Sequence, residues 1–228
     1  MKEIEVAVME PKYQINLGYI ARVSKNFGIE KLILINPRCN YKGKEAIKYS
    51  KHAVSLLKNA RVYKNIKDLD AGLIIGTTGI WHKTRDSFYN LYDLKSMKNL
   101  VRQVGNANRH VILLLGRDDT GLSKKELRSC DATVSIDTSG KYPILNISHA
   151  LAILLYELKS SNYSKTRNHL YANASYQKSL FRLFEKLVKK NARIRDKDSV
   201  IMAFRHVIRR SSPTKKEINA LSIAMSGH

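Results

Sequence analysis

Three small-residue turns and one amide–arginine pair hold the side chains that could do chemistry. The turns are Gly76-Thr77-Thr78-Gly79, Gly116-Arg117-Asp118-Asp119-Thr120-Gly121, and the segment 136–148, IDTSGKYPILNIS. Each follows a short apolar run, and glycine lets a backbone come close to a ligand. In the third, Pro143 keeps Tyr142 out of helical geometry. Asn146 or Ser148 can accept a hydrogen bond from the first free N–H groups of the helix that follows. Such an entry sets polar backbone beside Ile136, Ile144 and Leu145, which suits a ligand with a flat ring and a polar tail. From these residues alone, an N-cap and a core helix account for the segment as well. Asn16 and Arg22 lie six positions apart, with Gly18 between them, on one helical pattern. They do not share a face at that spacing. From these residues alone Asn16 reads as a helix N-cap, and Arg22 as a surface arginine on an amphipathic helix.

These residues need a scaffold. Strands are expected at 4–9, 31–36, 60–63, 71–76, 110–115 and 132–136. Helices are expected at 16–27, with Gly28 as the residue just past its end, and at 44–58, 91–104 and 123–130. A single turn is expected at 66–70, and a last helix of this half follows residue 146. The strands have no polar face and alternate with helices, which indicates an α/β fold with a parallel six-stranded sheet covered on both faces. Ligands on such sheets bind beyond the carboxyl ends of the strands, where all three small-residue turns fall. The first strand-to-helix turn, EPKYQIN, has no GxGxxG, and the chain has no GxxxxGK[ST]. Dinucleotide-binding and P-loop folds are thereby disfavoured.

Charge points to the partner. The 228 residues carry 41 Lys and Arg against 19 Asp and Glu, a net charge of +22. Such an excess calls for a polyanion, most simply a nucleic acid; a surface adapted to salt or heat is the plainer alternative. The excess is uneven, with 16 basic and 4 acidic residues in 159–228. Residues 1–158 form the expected sheet domain and 159–173 a linker. Residues 174–228 form a basic helical extension with three amphipathic patterns, the last opened by a Thr214…Glu217 capping box. Lys189, Lys190, Arg193, Arg195, Arg205, Arg209 and Arg210 would face phosphates. The longest apolar run, residues 150–156, is too short for a bilayer, so no membrane partner is expected. Cys39 and Cys130 stand in no metal-ligand spacing, and no metal is expected. They read as reduced thiols of a cytoplasmic protein.

Three segments in register resemble the SPOUT class of RNA methyltransferases, in its TrmH-like branch. They are KYQINLGYIARVSKNFG, LLLGRDDTGLSKKEL and YPILNISHALAILLYEL. The tail SVIMAFRHVIRRSSPTKKEINAL resembles that of one subfamily, the tRNA 2′-O-methyltransferases acting at position 32. The resemblance implies a trefoil knot at the C-terminal end of the sheet, a homodimer with active sites built from both subunits, and tRNA as partner. It implies methyl transfer from S-adenosylmethionine (AdoMet) to a ribose 2′-hydroxyl, with nucleotide 32 (a cytidine) as target. The cofactor would sit on Thr77, Thr78, Gly79, Gly116, Ile136, Pro143, Ile144 and Leu145. Arg22, Asn16, Asn146 and Asp118 would form the catalytic group. A guanidinium keeps its proton in proteins, so Arg22 would grip a phosphate and favour the ribose alkoxide electrostatically.

The chain departs from the family pattern at several points. Asp118 stands where glutamate is usual, Ile144 where serine is usual, and the loop 137–142 is longer. Arg85 would be a shifted stand-in for an arginine after the threonine pair, and Trp81 and His82 would stack on RNA. Two further readings stay open: a non-catalytic RNA-binding or assembly factor on the same fold, and a 2′-O-methyltransferase for another tRNA or rRNA site.

Overall fold

The protein is described from a computed structural model, for residues 4–70, 72–79, 90–106, 110–138, 141, 143–159 and 171–226. The strands are β1 (Ile4–Met9), β2 (Leu32–Ile35), β3 (Arg61–Tyr63), β4 (Leu73–Thr78), β5 (Leu91–Tyr92), β6 (Val111–Leu115) and β7 (Ala132–Ser135). They form one sheet in the order β3-β2-β1-β6-β4-β7-β5, and every pairing is parallel. The sheet thus has seven strands where six were expected. The added strand, β5, is only two residues long. Leu91 and Tyr92 pair with Thr133 and Val134, and the helix expected from residue 91 begins at Leu94 instead. No sequence pattern two residues long can announce such an edge strand; the exposed side of β7 recruits it.

Around the sheet lie α1 (Gln14–Asn26), α2 (Lys44–Ser50), α3 (Val54–Lys58), α4 (Leu94–Asn106), α5 (Lys124–Ser129) and α6 (Ile147–Lys159). Alternate strand residues feed two cores, as period-two side chains must. Val6, Val8, Leu32, Leu34, Leu113 and Leu115 pack with Leu17, Ile20, Leu57, Leu151, Leu154 and Leu155 on one face. Ala7, Met9, Ile33, Ile35, Ile112 and Leu114 pack with Ile66, Leu69, Leu122 and Cys130 on the other. Helix α1 ends as its sequence requires: Gly28 takes φ +66°, and the N–H groups of Gly28 and Ile29 donate to Lys25 and Ser24 carbonyls. The helix expected over 44–58 is broken by a 3-10 turn, Lys51–Ala53, where Lys51 has φ 52°. Residues 80–89, 139–140 and 142 lie outside the described residues, as do Trp81, His82, Arg85 and Tyr142.

The tail is three helices, α7 (Ala174–Lys190), α8 (Lys197–Ser211) and α9 (Lys215–Ser226). They share a small core of Leu180, Phe181, Ile208 and Ile218, with Phe204 stacked 3.9 Å from Phe184. Thr214 and Glu217 form the expected capping box. The unit's packing already includes Tyr171 and Ala172, because Ala172 is fully buried and its N–H donates to the Pro213 carbonyl. Most of the expected linker, residues 160–170, is outside the described residues.

Two of the tail's arginines are not on a phosphate-facing surface. Arg209 donates to the buried carboxylate of Asp131 at 3.1 Å, and Arg210 to the Asp131 carbonyl at 2.9 Å. The same carboxylate accepts the Ile74 N–H at 2.8 Å. Asp131 thereby ties α8 to the inlets of β4 and β7. His206 stands beside this contact, 3.9 Å from the carboxylate. Burial pushes its imidazole below its ordinary value, against the pull of Asp131.

Candidate active site

Each of the three small-residue turns closes a strand at the same edge of the sheet. β4 delivers Thr77, Thr78 and Gly79, β6 delivers Gly116–Gly121, and β7 delivers Ile136 and the segment that leads into α6. They meet around one cavity of ≈ 290 Å³. All eight residues expected to hold a cofactor line it: Thr77, Thr78, Gly79, Gly116, Ile136, Pro143, Ile144 and Leu145. Val134, Ile147, Ala150 and Leu154 add an apolar floor that the sequence pattern did not single out. Their signal was there, in the inward face of the helix after Asn146. Volume alone does not mark the site, since hollows of ≈ 360 and ≈ 370 Å³ lie at the helical tail.

The middle turn is held very tightly. Its ends pair as a bridge, Arg117 with Gly121, each donating its N–H to the other's carbonyl. A Cβ on Gly116 would lie 2.4 Å from the Gly121 carbonyl carbon, so no other residue fits there. Gly121 itself has φ +68°, in the left-handed region that glycine enters freely. Arg117 lines the cavity and also braces the turn. Its guanidinium donates to both oxygens of Glu126 at 2.8 and 2.7 Å and to Glu10 at 3.2 Å. That guanidinium holds the Glu126 carboxyl at about 2. Arg117, the one arginine on the cavity wall among the described residues, is thus already neutralised by two carboxylates.

Asp118, Asn16 and Asn146 are brought together in a chain of hydrogen bonds at the cavity's rim. Asn16 Nδ2 donates to Asp118 Oδ1 at 2.7 Å, and Asn146 Nδ2 donates to Asn16 Oδ1 at 3.3 Å. Asn146 Oδ1 in turn accepts from the N–H and hydroxyl of Ser148 at 2.9 and 2.8 Å. Asn146 is therefore the N-cap of α6, as one of the two expected possibilities. Asn16 is not an N-cap. Helix α1 begins at Gln14, with Tyr13 at the cap position and no side chain of its own capping it. The acceptor comes from the far turn: Asp118 Oδ2 takes the N–H groups of Lys12 and Tyr13 at 3.0 and 3.2 Å. A negative group at a helix start is favourable, and here it welds the β1–α1 and β6–α5 loops. The shorter Asp, where glutamate is usual, still reaches.

Arg22 is not part of that chain. It is exposed on α1, does not line the cavity, and has no ion-pair partner among the described residues. Gly18, between Asn16 and Arg22, serves packing: a Cβ there would come within 2.7 Å of Tyr49 and 2.8 Å of the Ala46 carbonyl on α2. Ile144 is more than half exposed at the cavity mouth and lies over Gly79. Among the described residues no cluster of His, Cys, Asp or Glu could hold a metal ion, and no helix is long and apolar enough to cross a membrane.

Fold and site together define a parallel α/β protein with a glycine-lined ligand cavity over the tips of three adjacent strands. The SpoU rRNA Methylase family matches residues 3–156, and the chain belongs to that family. It is 33% identical over 222 residues to the tRNA (cytidine-2'-O-)-methyltransferase TrmJ of Methanocaldococcus jannaschii, covering 94% of both chains. It is 32% identical over 158 residues to the enzyme of the same name from Sulfolobus acidocaldarius, covering 68% of this chain and 64% of that one. The crystal structure of TrmJ from Z. mobilis ZM4 superposes with a TM-score of 0.74 at 19% identity, over 99% of this chain and 98% of that one. The likeness of fold therefore extends through the helical tail.

Proposed function

We propose that this protein is a tRNA 2′-O-ribose methyltransferase of TrmJ type that uses AdoMet. The observation that carries this is the match to the M. jannaschii enzyme, which runs through both the sheet domain and the tail. The cavity agrees with the cofactor on chemical grounds. Its apolar floor suits an adenine ring, and its glycine-lined rim offers backbone N–H and C=O groups to the polar ends of such a ligand. Among the described residues, Arg117 is the lining arginine, and Glu10 and Glu126 neutralise it, which lessens its repulsion of a sulfonium. Thr77, Thr78, Gly79, Gly116, Ile136, Pro143, Ile144 and Leu145 would hold the group. When bound, AdoMet supplies an electrophilic methyl on a positively charged sulfur.

The chain's own residues do the rest. Asp118, Asn16 and Asn146 fix the three loops relative to one another, so the mouth of the cavity keeps its shape. Arg22 grips the phosphate beside the target ribose and lowers the cost of its alkoxide as the 2′-hydroxyl loses its proton. Its place off its own cavity supports a homodimer in which Arg22 serves the partner's site. Ile153 and Tyr156, both exposed on α6 beside α1, supply apolar surface for that contact. The target is the ribose of nucleotide 32, a cytidine, and the setting is the cytoplasm. Ribose-methylation mapping on tRNA from cells with and without the gene tests this. A methyl lost at position 32 alone is expected, and an unchanged tRNA profile would overturn it.

A further inference from the structure

The loops over β1 and β2 carry aromatic and basic side chains that do not line the cavity and are at most partly buried. Residues 11–14 and 38–43 run side by side. The Arg38 N–H donates to the Pro11 carbonyl at 3.0 Å, and the Gln14 side chain lies against Gly43. On them Tyr13 is 48% exposed, with the Lys12 ammonium 5.3 Å from its ring centre. Tyr41 has one edge against the core, and the Lys42 ammonium lies 5.4 Å from its ring centre. Arg38 is exposed beside them and pairs with Glu10 at 3.4 Å, as Lys12 pairs with Asp119 at 3.4 Å; both cations are solvent-exposed, in pairs that a phosphate can replace. Asp118 lines the cavity and accepts the N–H groups of both Lys12 and Tyr13. This surface therefore begins where the cavity ends.

We propose that Tyr13 and Tyr41, with Lys12, Lys42 and Arg38, form a stacking platform for the unpaired nucleotides that flank the target ribose. This rests on the tRNA reading above and names the part of the RNA that the surface takes. Every base has a π-face, and a base stacked on an aromatic ring is worth more than an exposed ammonium held above it. A base therefore displaces the lysine from the ring, and the freed ammonium turns to the adjoining phosphate. Rings with tethered cations suit a looped single strand, whose bases splay outward; a duplex keeps its bases stacked inside. A second copy of this chain would instead want apolar surface without so many exposed cations.

The full-length protein is titrated into a labelled anticodon stem-loop and a fully paired RNA of equal length, across salt concentrations. Tyr13→Ala is expected to weaken stem-loop binding about tenfold, with Tyr13→Phe restoring it and duplex binding unchanged. Lys12→Ala with Lys42→Ala is expected to lower the salt slope by about 1.4, with AdoMet affinity by calorimetry within twofold of wild type. Full affinity and slope in these variants overturn the platform. So does equal weakening toward the duplex, or a change of oligomeric state with RNA binding intact. Wild-type protein that binds the stem-loop but transfers no methyl to tRNA would instead sink the function reading and leave the platform standing.

Discussion

At the scale of single residues, the site separates a shape from a charge. Asp118 has both carboxylate oxygens occupied by donors from α1 and its approach, so its work is to position. Asp118→Ala removes the acceptor for three N–H donors. It is expected to cost roughly 2 kcal/mol of stability, visible in urea melts, together with weaker AdoMet binding. Arg22 contacts nothing in that network, so its loss should leave both quantities alone. Arg22→Ala is expected to lower methyl transfer by about 10²-fold, the usual cost of losing a group aimed at developing charge. AdoMet affinity should stay within twofold, and Arg22→Lys should recover only part of the rate, since a point charge cannot make the planar two-pronged contact. Unchanged transfer of labelled methyl by Arg22→Ala would remove the role given to it.

At the scale of elements, the turn between β6 and α5 is tightly constrained by its Arg117–Gly121 bridge and the close approach of Gly116 to Gly121. Gly116→Ala drives a methyl into the Gly121 carbonyl. The cost is expected at about 1–3 kcal/mol, and calorimetry should find AdoMet binding lost in protein that still shows its full helical content. The Glu126–Arg117 pair that braces this turn gives it a pH dependence. Glu126 sits at about 2 in the fold against an ordinary 4.5. A lowered carboxylate contributes stability that is complete above 4.5 and disappears as pH falls toward 2. Glu126→Gln should therefore lower stability at pH 7 and flatten the acid limb of the melting curve in that window, converging on wild type near pH 2. An identical acid limb in the variant would show that the pair does not hold the turn.

At the scale of the whole molecule, one buried carboxylate decides how the tail sits. Asp131 holds the Ile74 N–H, Arg209 and, through its carbonyl, Arg210. Removing one partner of a buried ion pair leaves the other uncompensated, typically at 3–5 kcal/mol. Asp131→Ala is expected to lose about that much in urea unfolding and to expose α8 to proteolysis. A variant as protected as wild type would mean that the small apolar contacts carry the docking. The arginines spent here also change the estimate of RNA contacts. Of the tail residues expected to face phosphates, Lys189, Lys190, Arg193, Arg195 and Arg205 remain exposed, most of them around the α7–α8 turn.

The sequence by itself determined the parallel sheet, its main strands, the helices and the three turns at strand tips. It could do so because these follow from local composition: apolar runs without a polar face, glycine at tight turns, capping residues at helix starts. The family motifs were legible for the same reason. Only the tertiary structure decided how those pieces pair. Asp118 anchors the entry to α1, 106 residues away, Asn146 reaches Asn16 across 130, and Arg209 turns inward to Asp131 across 78. The two-residue strand β5 exists only because β7 offers it an edge. A hydrogen-bonding side chain reads the same in sequence whether it meets water, RNA or a distant backbone amide. The fold makes that choice, because a buried polar group must find its partner wherever the chain brings one near.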